Sequence, residues 1–227
     1  LGACSVRPDV VLGHSVGEFA AAVAAGALDA DAAVRFLVQR GAAIADAGPA
    51  GVGAMLAVQA TEEMFAELAD GIDGVWAGCV NHPTQIVASG RRDAVQRLRE
   101  RCAARAVPAV ALSVSHAFHS PMVAEADDRA SVWLSDLDVR PLERQFVSSV
   151  DGQLCADSEQ LRKLWTRHVS STVLFGAAAR AAEEAGSGIF VQLYGGDSLL
   201  GMARKSLADP ASAQFVALSG AEPDQGR

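Results

Sequence analysis

The sequence predicts an α/β fold in which a smaller unit of element order β-α-β-β-α-β is inserted into a larger core. Short apolar runs alternate with amphipathic stretches along all 227 residues, which is typical of alternating strands and helices. The spacing of the apolar runs changes after the turn-forming segment GPAGVG at 48–53, because strand-like runs lie closer together beyond it. Half of the residues are hydrophobic, which is enough for one core with a small subdomain.

The N-terminal part of the core begins with the apolar run DVVL, which predicts a buried strand that ends at a glycine-rich turn. The next two segments have helical periodicity, the first ended by Gly26 and the second capped by Asp29 or Asp31. The predicted elements are a strand at 9–12, a turn at 13–17 and helices at 18–25 and up to 45.

The inserted unit is predicted from β-rich runs that flank two helical segments. Thr61 has the residue type of an N-cap, and an Asn-His-Pro sequence at 81–83 predicts a turn between two strands. The predicted elements are a strand at 54–58, a helix at 61–68, strands at 75–80 and 85–89, a helix at 92–105 and a strand at 109–114. This is the ferredoxin-like (βαββαβ) order, and it predicts a subdomain at 52–115 with a core formed by 1–51 and 116–227.

The C-terminal part of the core returns to longer helical segments. A Gly-Gly turn at 195–196 separates the last predicted strand from the last predicted helix. The predicted elements are a helix at 122–137, a strand at 145–148, helices at 160–168 and 172–185, a strand at 189–193 and a helix at 198–207. The polar tail at 221–227 is expected to be frayed.

Charge and composition limit the classes of function. The formal net charge of −8 argues against a nucleic-acid-binding protein. No apolar run approaches the roughly 20 residues that span a bilayer, so we expect no membrane association and a cytoplasmic location. Cys4, Cys79, Cys102 and Cys155 form no CxxC pair, and we expect free thiols and no metal site.

The segment GHSVG at 13–17 fits the pattern G-x-S-x-G of a nucleophile elbow. In that motif a sharp turn between a strand and a helix exposes the serine hydroxyl at the helix N-terminus. The flanking VVL run and alanine-rich helix supply this context, and they predict a core similar to the α/β-hydrolases. Ser15 is therefore the candidate nucleophile, and the N–H of Val16 is a candidate donor to an oxyanion.

A serine nucleophile needs a base, and the chain has five histidines: His14, His82, His116, His119 and His168. His14 adjoins the serine, so its side chain is expected to point away and to line the floor of the site. His82 and His168 are expected to be ordinary surface or core histidines. The two remaining histidines lie in SVSHAFHSP, where the chain re-enters the core and a cleft is expected.

Several segments together resemble one enzyme family. They are GHSVGE at 13–18, Arg40 at the end of the second helix, Asn81 in VNHP and HAFHSPMV at 116–123. In this order they resemble the acyltransferases that load malonyl units onto acyl carrier proteins. The family includes the malonyl-CoA:acyl-carrier-protein transacylases and the acyltransferase domains of type I polyketide synthases. The resemblance covers nearly all of the chain.

The resemblance implies a role for each of three residues. Ser15 carries the acyl group, and His119 is its general base and then its general acid, with a ring oriented by a backbone carbonyl. Arg40 holds the free carboxylate of malonate in a charge-assisted pair. Position alone would favour another interpretation of Arg40, as a surface residue that complements a helix dipole.

The resemblance also implies an acyl pocket formed by His14, Asn81, His116, Phe118 and Leu174. HAFH resembles the form of this motif found in malonyl-using members, and a phenylalanine at 118 leaves little room for a methyl branch. One methyl group supports only about 10–200-fold discrimination. His116 is expected to support the pocket wall, with a half-buried structural histidine as the alternative.

The sequence departs from the family pattern at three places. The glycine-rich, glutamine-bearing turn that completes the oxyanion hole precedes the first residue of this chain, so the chain is expected to be an N-terminally truncated member. Leu174 occupies a position where the family usually carries Gln or Arg, and QLYGGDS at 192–198 replaces an acidic-residue-plus-Gly-Pro turn. These departures leave a non-catalytic carrier-binding domain as an alternative.

The resemblance implies malonyl-CoA as the acyl donor, an acyl carrier protein as the acceptor and other domains of a multidomain synthase as partners. No cofactor is expected, because the coenzyme A thioester is itself the substrate. The arginine-rich segment from Arg91 to Arg105 is expected to guide the carrier protein or the phosphates of coenzyme A, unless it is only a solvated helix face. An acyl hydrolase that releases acyl groups from a carrier is the alternative enzyme.

Overall fold

The computed structural model describes residues 6–47 and 51–218. Its strands are β1 (Val10–Leu12), β2 (Gly53–Val58), β3 (Val75–His82), β4 (Gln85–Arg91), β5 (Ala109–Leu112), β6 (Gln145–Val147), β7 (Ile189–Gln192) and β8 (Gln214–Ala217). Its helices are α1 (Gly17–Ala24), α2 (Ala30–Asp46), α3 (Glu62–Ala69), α4 (Arg92–Ala104), α5 (Ala124–Asp136), α6 (Ser158–Trp165), α7 (Phe175–Glu184) and α8 (Ser198–Ser206). The α/β class predicted from the sequence is confirmed.

A four-stranded sheet is formed by the strands of the predicted insertion, in the order β3-β4-β2-β5, and all neighbours are antiparallel. The two helices between them bury their apolar sides on this sheet, with Leu56, Leu68, Ile86 and Leu98 fully buried. The element order β2-α3-β3-β4-α4-β5 is the order expected from the sequence. The division of the chain into a 52–115 subdomain and a core of 1–51 and 116–227 stays a prediction.

Two parallel strand pairs lie outside this sheet: β1 with β6, and β7 with β8. Helix α7 packs against β1, β6 and α8, and α8 packs against β7. Side chains from both pairs therefore share one apolar cluster, to which Val10, Phe190 and Phe215 belong. The sequence analysis does not predict strand β8, which pairs with the preceding strand β7 across α8.

Side-chain caps fix two of the predicted helix starts. Asp29 caps α2 by accepting a hydrogen bond from Ala32 N at 3.0 Å, and Thr61 caps α3 by accepting from Met64 N at 3.2 Å. The sequence had left Asp29 and Asp31 as alternatives for the first cap. The capping geometry selects Asp29.

Several element boundaries differ from the prediction. The sequence placed the turn of the β3–β4 hairpin at 81–83, but Asn81 and His82 are strand residues and the turn comprises Pro83 and Thr84. A 3₁₀ turn, Pro121–Val123, precedes α5. Helix α6 ends at Trp165, so His168 lies in the following turn and not in a helix as expected.

Two predictions concern residues outside the described ranges. Residues 48–50 of the expected turn at 48–53, and the whole tail at 221–227, lie outside them.

None of the described helices is long and apolar enough to cross a membrane. The described residues contain no group of three or more His, Cys, Asp or Glu side chains arranged to hold a metal ion.

Candidate active site

The segment after β1 forms a tight turn that ends in α1, as the elbow pattern predicts. Ser15 has a φ of 51°, in the left-handed region that costs an L-residue about 1–2 kcal/mol. Its carbonyl accepts from Glu18 N at 2.9 Å, which closes the turn onto the helix. Strained backbone of this kind is concentrated at functional sites, because the surrounding structure must hold it.

The two glycines of the elbow have different roles. A Cβ atom on Gly13 would lie 2.2 Å from both Glu18 N and Gly17 C, so a side chain cannot fit there. A Cβ atom on Gly17 would meet nothing within 4 Å. Only the first glycine of G-x-S-x-G is therefore required by steric contact.

Ser15 and His119 are brought together from positions 104 residues apart. Ser15 Oγ lies 2.7 Å from His119 Nε2, and His119 Nδ1 lies 2.9 Å from the carbonyl oxygen of Ser171. A carbonyl only accepts, so Nδ1 carries the proton and donates it to Ser171 O. Nε2 is therefore left with a lone pair that accepts from the serine hydroxyl, which is the orientation that a general base needs.

Burial makes this histidine neutral at ordinary pH. It lowers the pKa of His119 to about 4, and the bond to Ser171 O opposes the shift without cancelling it. An imidazole with this pKa keeps its acceptor lone pair throughout the neutral range.

Backbone contacts from three parts of the fold hold the segment that carries His119. The residue has a φ of 60°, and its N–H donates to Val169 O at 2.9 Å. Ser89 of β4 donates its hydroxyl to Phe118 O at 2.5 Å. The Asp127 carboxylate of α5 accepts from Val169 N at 2.8 Å, so the loop opposite is fixed as well. The base is positioned by strand, helix and loop together.

The side chain of His14, the residue before the nucleophile, contacts Asn81 and Phe175. Its Nε2 lies 2.9 Å from Asn81 Oδ1, and Asn81 Nδ2 donates to Gln85 Oε1 at 3.0 Å. The ring packs against Phe175 with a centroid distance of 5.3 Å. Burial lowers the pKa of His14, and the bond to Asn81 opposes this. His14 and Asn81 therefore form a neutral polar pair next to the nucleophile in the chain.

Arg40 is not a surface residue at the end of a helix: it is buried, with 8% of its surface exposed. Its guanidinium lies 5.8 Å from the centroid of the Phe19 ring, and Nη2 lies 3.2 Å from His168 Nδ1. Burial lowers the pKa of Arg40, and the charge of Asp127 opposes this. The Arg40 Nε atom is buried without a hydrogen-bond partner among the described residues. A buried donor without a partner is rare in folded proteins, and it marks Arg40 as a candidate functional residue.

His168 was expected to be an ordinary histidine, and the structure places it beside all three predicted site residues. It is 3% exposed, and its Nε2 lies 3.2 Å from the carbonyl oxygen of Ser15. Its ring centroid is 6.5 Å from that of His119. The sequence carried no signal for this position, because only the turn after α6 brings it under the elbow.

Glu18 is the second residue that the sequence interpretation missed. Its side chain is completely buried and accepts from Ser148 Oγ at 2.9 Å, from Ser149 N and Oγ at 2.5 and 2.8 Å, and from Trp165 Nε1 at 2.9 Å. Burial raises the pKa of Glu18, and these donors oppose the shift. The carboxylate ties the first turn of α1 to the loop after β6.

Val16 stands at the N-cap of α1, where the positive end of the helix dipole lies. The residue is 49% exposed. This position suits the predicted oxyanion donor.

The remaining predicted pocket residues lie on two different segments. Phe118 is half-buried directly before His119 and packs with two apolar clusters. The His116 ring is 5.9 Å from the Phe118 ring, and its Nδ1 lies 2.9 Å from Ser115 Oγ. Leu174 is half-buried, and its N–H donates to Ser149 O at 2.6 Å. The roles of these three residues in acyl selection stay predictions.

A serine on a strand–turn–helix elbow, hydrogen-bonded to a neutral histidine, is the arrangement found in the class of α/β enzymes that form acyl-serine intermediates. The comparison with known families is more specific. The model of the acyl transferase domain family matches residues 1–222, and the chain belongs to that family.

Individual relatives agree with this assignment. A phenolphthiocerol synthesis polyketide synthase type I of Mycobacterium marinum is 36% identical over 217 residues, which are 95% of this chain and 10% of that protein. An acyl carrier protein S-malonyltransferase from Vibrio cholerae matches with a TM-score of 0.87 and 26% identity, over 95% of this chain and 71% of that one. A malonyl-transacylase solved with its holo type II polyketide synthase acyl-carrier protein matches with a TM-score of 0.88 and 25% identity, over the same shares. The chain therefore spans about a tenth of that curated relative.

Proposed function

We propose that this domain transfers a malonyl group from coenzyme A, through an ester on Ser15, to the phosphopantetheine thiol of an acyl carrier protein. The observation that carries the proposal is the 2.7 Å contact between Ser15 Oγ and His119 Nε2, with the buried Arg40 joined by His168 to the same turn. The family assignment supports acyl transfer as the reaction class. The malonyl group and its direction of transfer are the parts that the proposal adds.

The first half-reaction forms the acyl-enzyme. Ser15 Oγ attacks the thioester carbonyl while its proton passes to His119 Nε2, and the Val16 N–H stabilises the oxyanion that develops. Collapse of the tetrahedral intermediate breaks the carbon–sulfur bond. The coenzyme A thiolate leaves and takes the proton from His119, which becomes neutral again.

The second half-reaction reverses these steps with a different thiol. The phosphopantetheine thiol gives its proton to His119 and attacks the Ser15 ester. The carbon–oxygen bond breaks, and the Ser15 alkoxide takes the proton back from His119. Transfer rather than hydrolysis requires that the thiol reaches the ester faster than water does.

Arg40 is proposed to select a carboxylated acyl group. Its guanidinium is linked through His168 to the Ser15 turn, and a guanidinium is a charge-assisted donor to a carboxylate such as the free one of malonate. Phe118 and His116 lie together and directly precede the base, which suits a wall against the α-carbon of the acyl group. Asn81 and His14 are proposed to form the floor of the pocket, and Leu174 part of its side.

We test this function by intact mass of the chain after brief exposure to malonyl-CoA, methylmalonyl-CoA and acetyl-CoA. A malonyl adduct is expected on the wild-type protein and none on Ser15→Ala. An adduct that forms from acetyl-CoA as fast as from malonyl-CoA would contradict the role of Arg40. An ester that water removes faster than a carrier thiol does would favour the acyl hydrolase. Absence of an adduct from all three donors would contradict acyl transfer by this chain.

The acyl acceptor is proposed to dock on α4. The solved malonyl-transacylase that matches this chain is in complex with an acyl-carrier protein, which supports a carrier partner. In the structure, however, most arginines of the segment from Arg91 to Arg105 already have partners within the chain. Arg91 and Arg97 pair with Asp93, Arg101 donates to Leu68 O and Asp70 O, and Arg105 pairs with Glu67.

Arg99 has no ion pair within the described part of the chain and lines a cavity of about 500 Å³ between α4 and β5. Arg99→Glu is expected to slow transfer from acylated Ser15 to the carrier about tenfold, because close charge pairs at protein interfaces contribute 1 kcal/mol or more. Acylation by malonyl-CoA should keep its rate. The exposed Arg35 of α2 gives a matched control, Arg35→Glu. Equal slowing of both half-reactions by Arg99→Glu would contradict carrier docking at this site.

The multidomain context, the cytoplasmic location and the absence of a cofactor stay predictions. The curated relative is a type I polyketide synthase, which supports neighbouring domains as partners.

A further inference from the structure

His168 lies between the two halves of the site and touches both. Its Nδ1 is 3.2 Å from Arg40 Nη2, and its Nε2 is 3.2 Å from the backbone carbonyl oxygen of Ser15. Both contacts are buried or half-buried, and the side chain is 3% exposed. One imidazole therefore connects the anion-binding side chain to the turn that carries the nucleophile.

The partners of His168 allow only one assignment of its proton. A guanidinium has no acceptor atom, so the bond with Arg40 requires a lone pair on Nδ1. The carbonyl of Ser15 has no proton to give, so that bond requires an N–H at Nε2. His168 is thus held as the neutral Nε2–H tautomer, with each ring nitrogen matched to its partner.

The environment keeps the ring in place. Phe19 meets His168 in an edge-to-face contact at a centroid distance of 5.1 Å, and the Glu18 carboxylate lies 4.0 Å from Nε2. Phe19 also packs against the Arg40 guanidinium. Aromatic packing and hydrogen bonds together restrict both side chains to one arrangement.

We propose that His168 is a positioning residue that fixes the Arg40 guanidinium relative to the Ser15 elbow and thereby sets the preference for carboxylated acyl groups. The inference rests on the proposed function, since it assigns a carboxylate-binding role to Arg40. A long, flexible arginine side chain loses less entropy on binding when it is already held in position. The link through His168 supplies that preorganisation. It fixes the distance between the Ser15 elbow and the Arg40 guanidinium, which has to match the distance between the acyl carbon and the distal carboxylate of the substrate.

Two substitutions separate the two bonds of His168. The amide of asparagine places an oxygen at the position of Nδ1, so His168→Asn keeps an acceptor for Arg40 and loses the donor to Ser15 O. The amide of glutamine places an N–H at the position of Nε2, so His168→Gln keeps the donor to Ser15 O and loses the acceptor for Arg40. Both variants therefore carry a side-chain amide, and they differ in which of the two hydrogen bonds of His168 they keep.

The measurement is the ratio of Ser15 acylation rates with malonyl-CoA and acetyl-CoA, by quenched-flow intact mass. His168→Gln is expected to lower this ratio about tenfold, mainly through a higher KM for malonyl-CoA, because a hydrogen bond to a charged group is lost. His168→Asn is expected to slow both donors together, about threefold or more, with the ratio kept. A ratio that falls in His168→Asn and not in His168→Gln, or that is unchanged in both, overturns the proposal.

A second measurement does not depend on turnover. Long-range ¹H–¹⁵N NMR of the labelled wild-type protein is expected to show His168 as the Nε2–H tautomer, with the assignment made from the signal lost in His168→Gln. A proton on Nδ1 would break the contact with Arg40 and reject the proposal. If no donor acylates Ser15, the proposed function fails, and the tautomer still reports whether His168 holds Arg40.

Discussion

At the scale of single residues, protonation states decide whether the site can react. Burial lowers the pKa of His119 to about 4, so the base is neutral and Ser15 has an acceptor for its proton at any pH well above that value. A proton on Nε2 would occupy the lone pair that Ser15 uses. Acid should therefore stop acylation, and alkali should not stimulate it.

We expect the acylation rate of Ser15 to be constant from about pH 8 to pH 5 and to fall at lower pH as His119 becomes protonated. The rate is measured by pre-steady-state intact mass at each pH, with far-UV circular dichroism to show that the protein is folded. A midpoint near 6.5, the ordinary value for histidine, would show that the burial described for His119 does not act on its pKa in solution.

The residues that could be predicted from the sequence are those whose motif carries its own geometry. GHSVG specifies an elbow wherever it lies between a strand and a helix, and HAFH could be recognised by resemblance. Glu18 and His168 could not be predicted in this way. A glutamate in the first turn of a helix is already explained by the helix dipole, and only the folded chain shows that its carboxylate is completely buried. His168 acquires its partners from α2 and the elbow, more than 120 residues away.

At the scale of elements, the sequence predicted strands and helices well where caps and turns are local. Asp29, Thr61 and the run before Gly13 each define a boundary by a short-range contact. Strand β8 and the end of α6 depend on tertiary contacts. The parallel partner of β8 is β7, and no feature of 214–217 alone identifies it.

The elbow itself gives a prediction at this scale. Gly13→Ala is expected to destabilise the fold by about 3 kcal/mol, because the new Cβ would lie 2.2 Å from backbone atoms of Gly17 and Glu18. Gly17→Ala is expected to change stability by less than about 1 kcal/mol, because its Cβ enters open space at the start of a helix. Urea unfolding followed by circular dichroism compares the two. Similar losses for both variants would show that the second glycine also has a steric role.

At the scale of the whole molecule, the site concentrates buried titratable groups, and folding stability must depend on their protons. Burial lowers the pKa values of His14, His119 and His168, so the unfolded chain binds these protons more readily than the native chain. Below the ordinary value of 6.5 such groups make the native state less stable as the pH falls. Burial raises the pKa values of Glu18 and Asp127, and these two groups act in the opposite direction.

The contribution of His168 can be isolated from this sum with the glutamine variant, which has no titrating group at that position. The pKa of His168 is lowered well below 6.5 by burial and by the charge of Arg40, so between pH 7 and pH 5 the unfolded chain gains a proton at this residue that the native chain does not. This difference of one bound proton, integrated from pH 7 to pH 5, predicts that the free energy of unfolding of the wild-type protein falls by about 2 kcal/mol. We therefore expect His168→Gln to lose about 2 kcal/mol less than the wild type does, whatever its stability at pH 7. Urea unfolding at the two pH values measures the difference, and equal losses in the two proteins would mean that His168 binds its proton in the native state, which is incompatible with an acceptor lone pair facing Arg40.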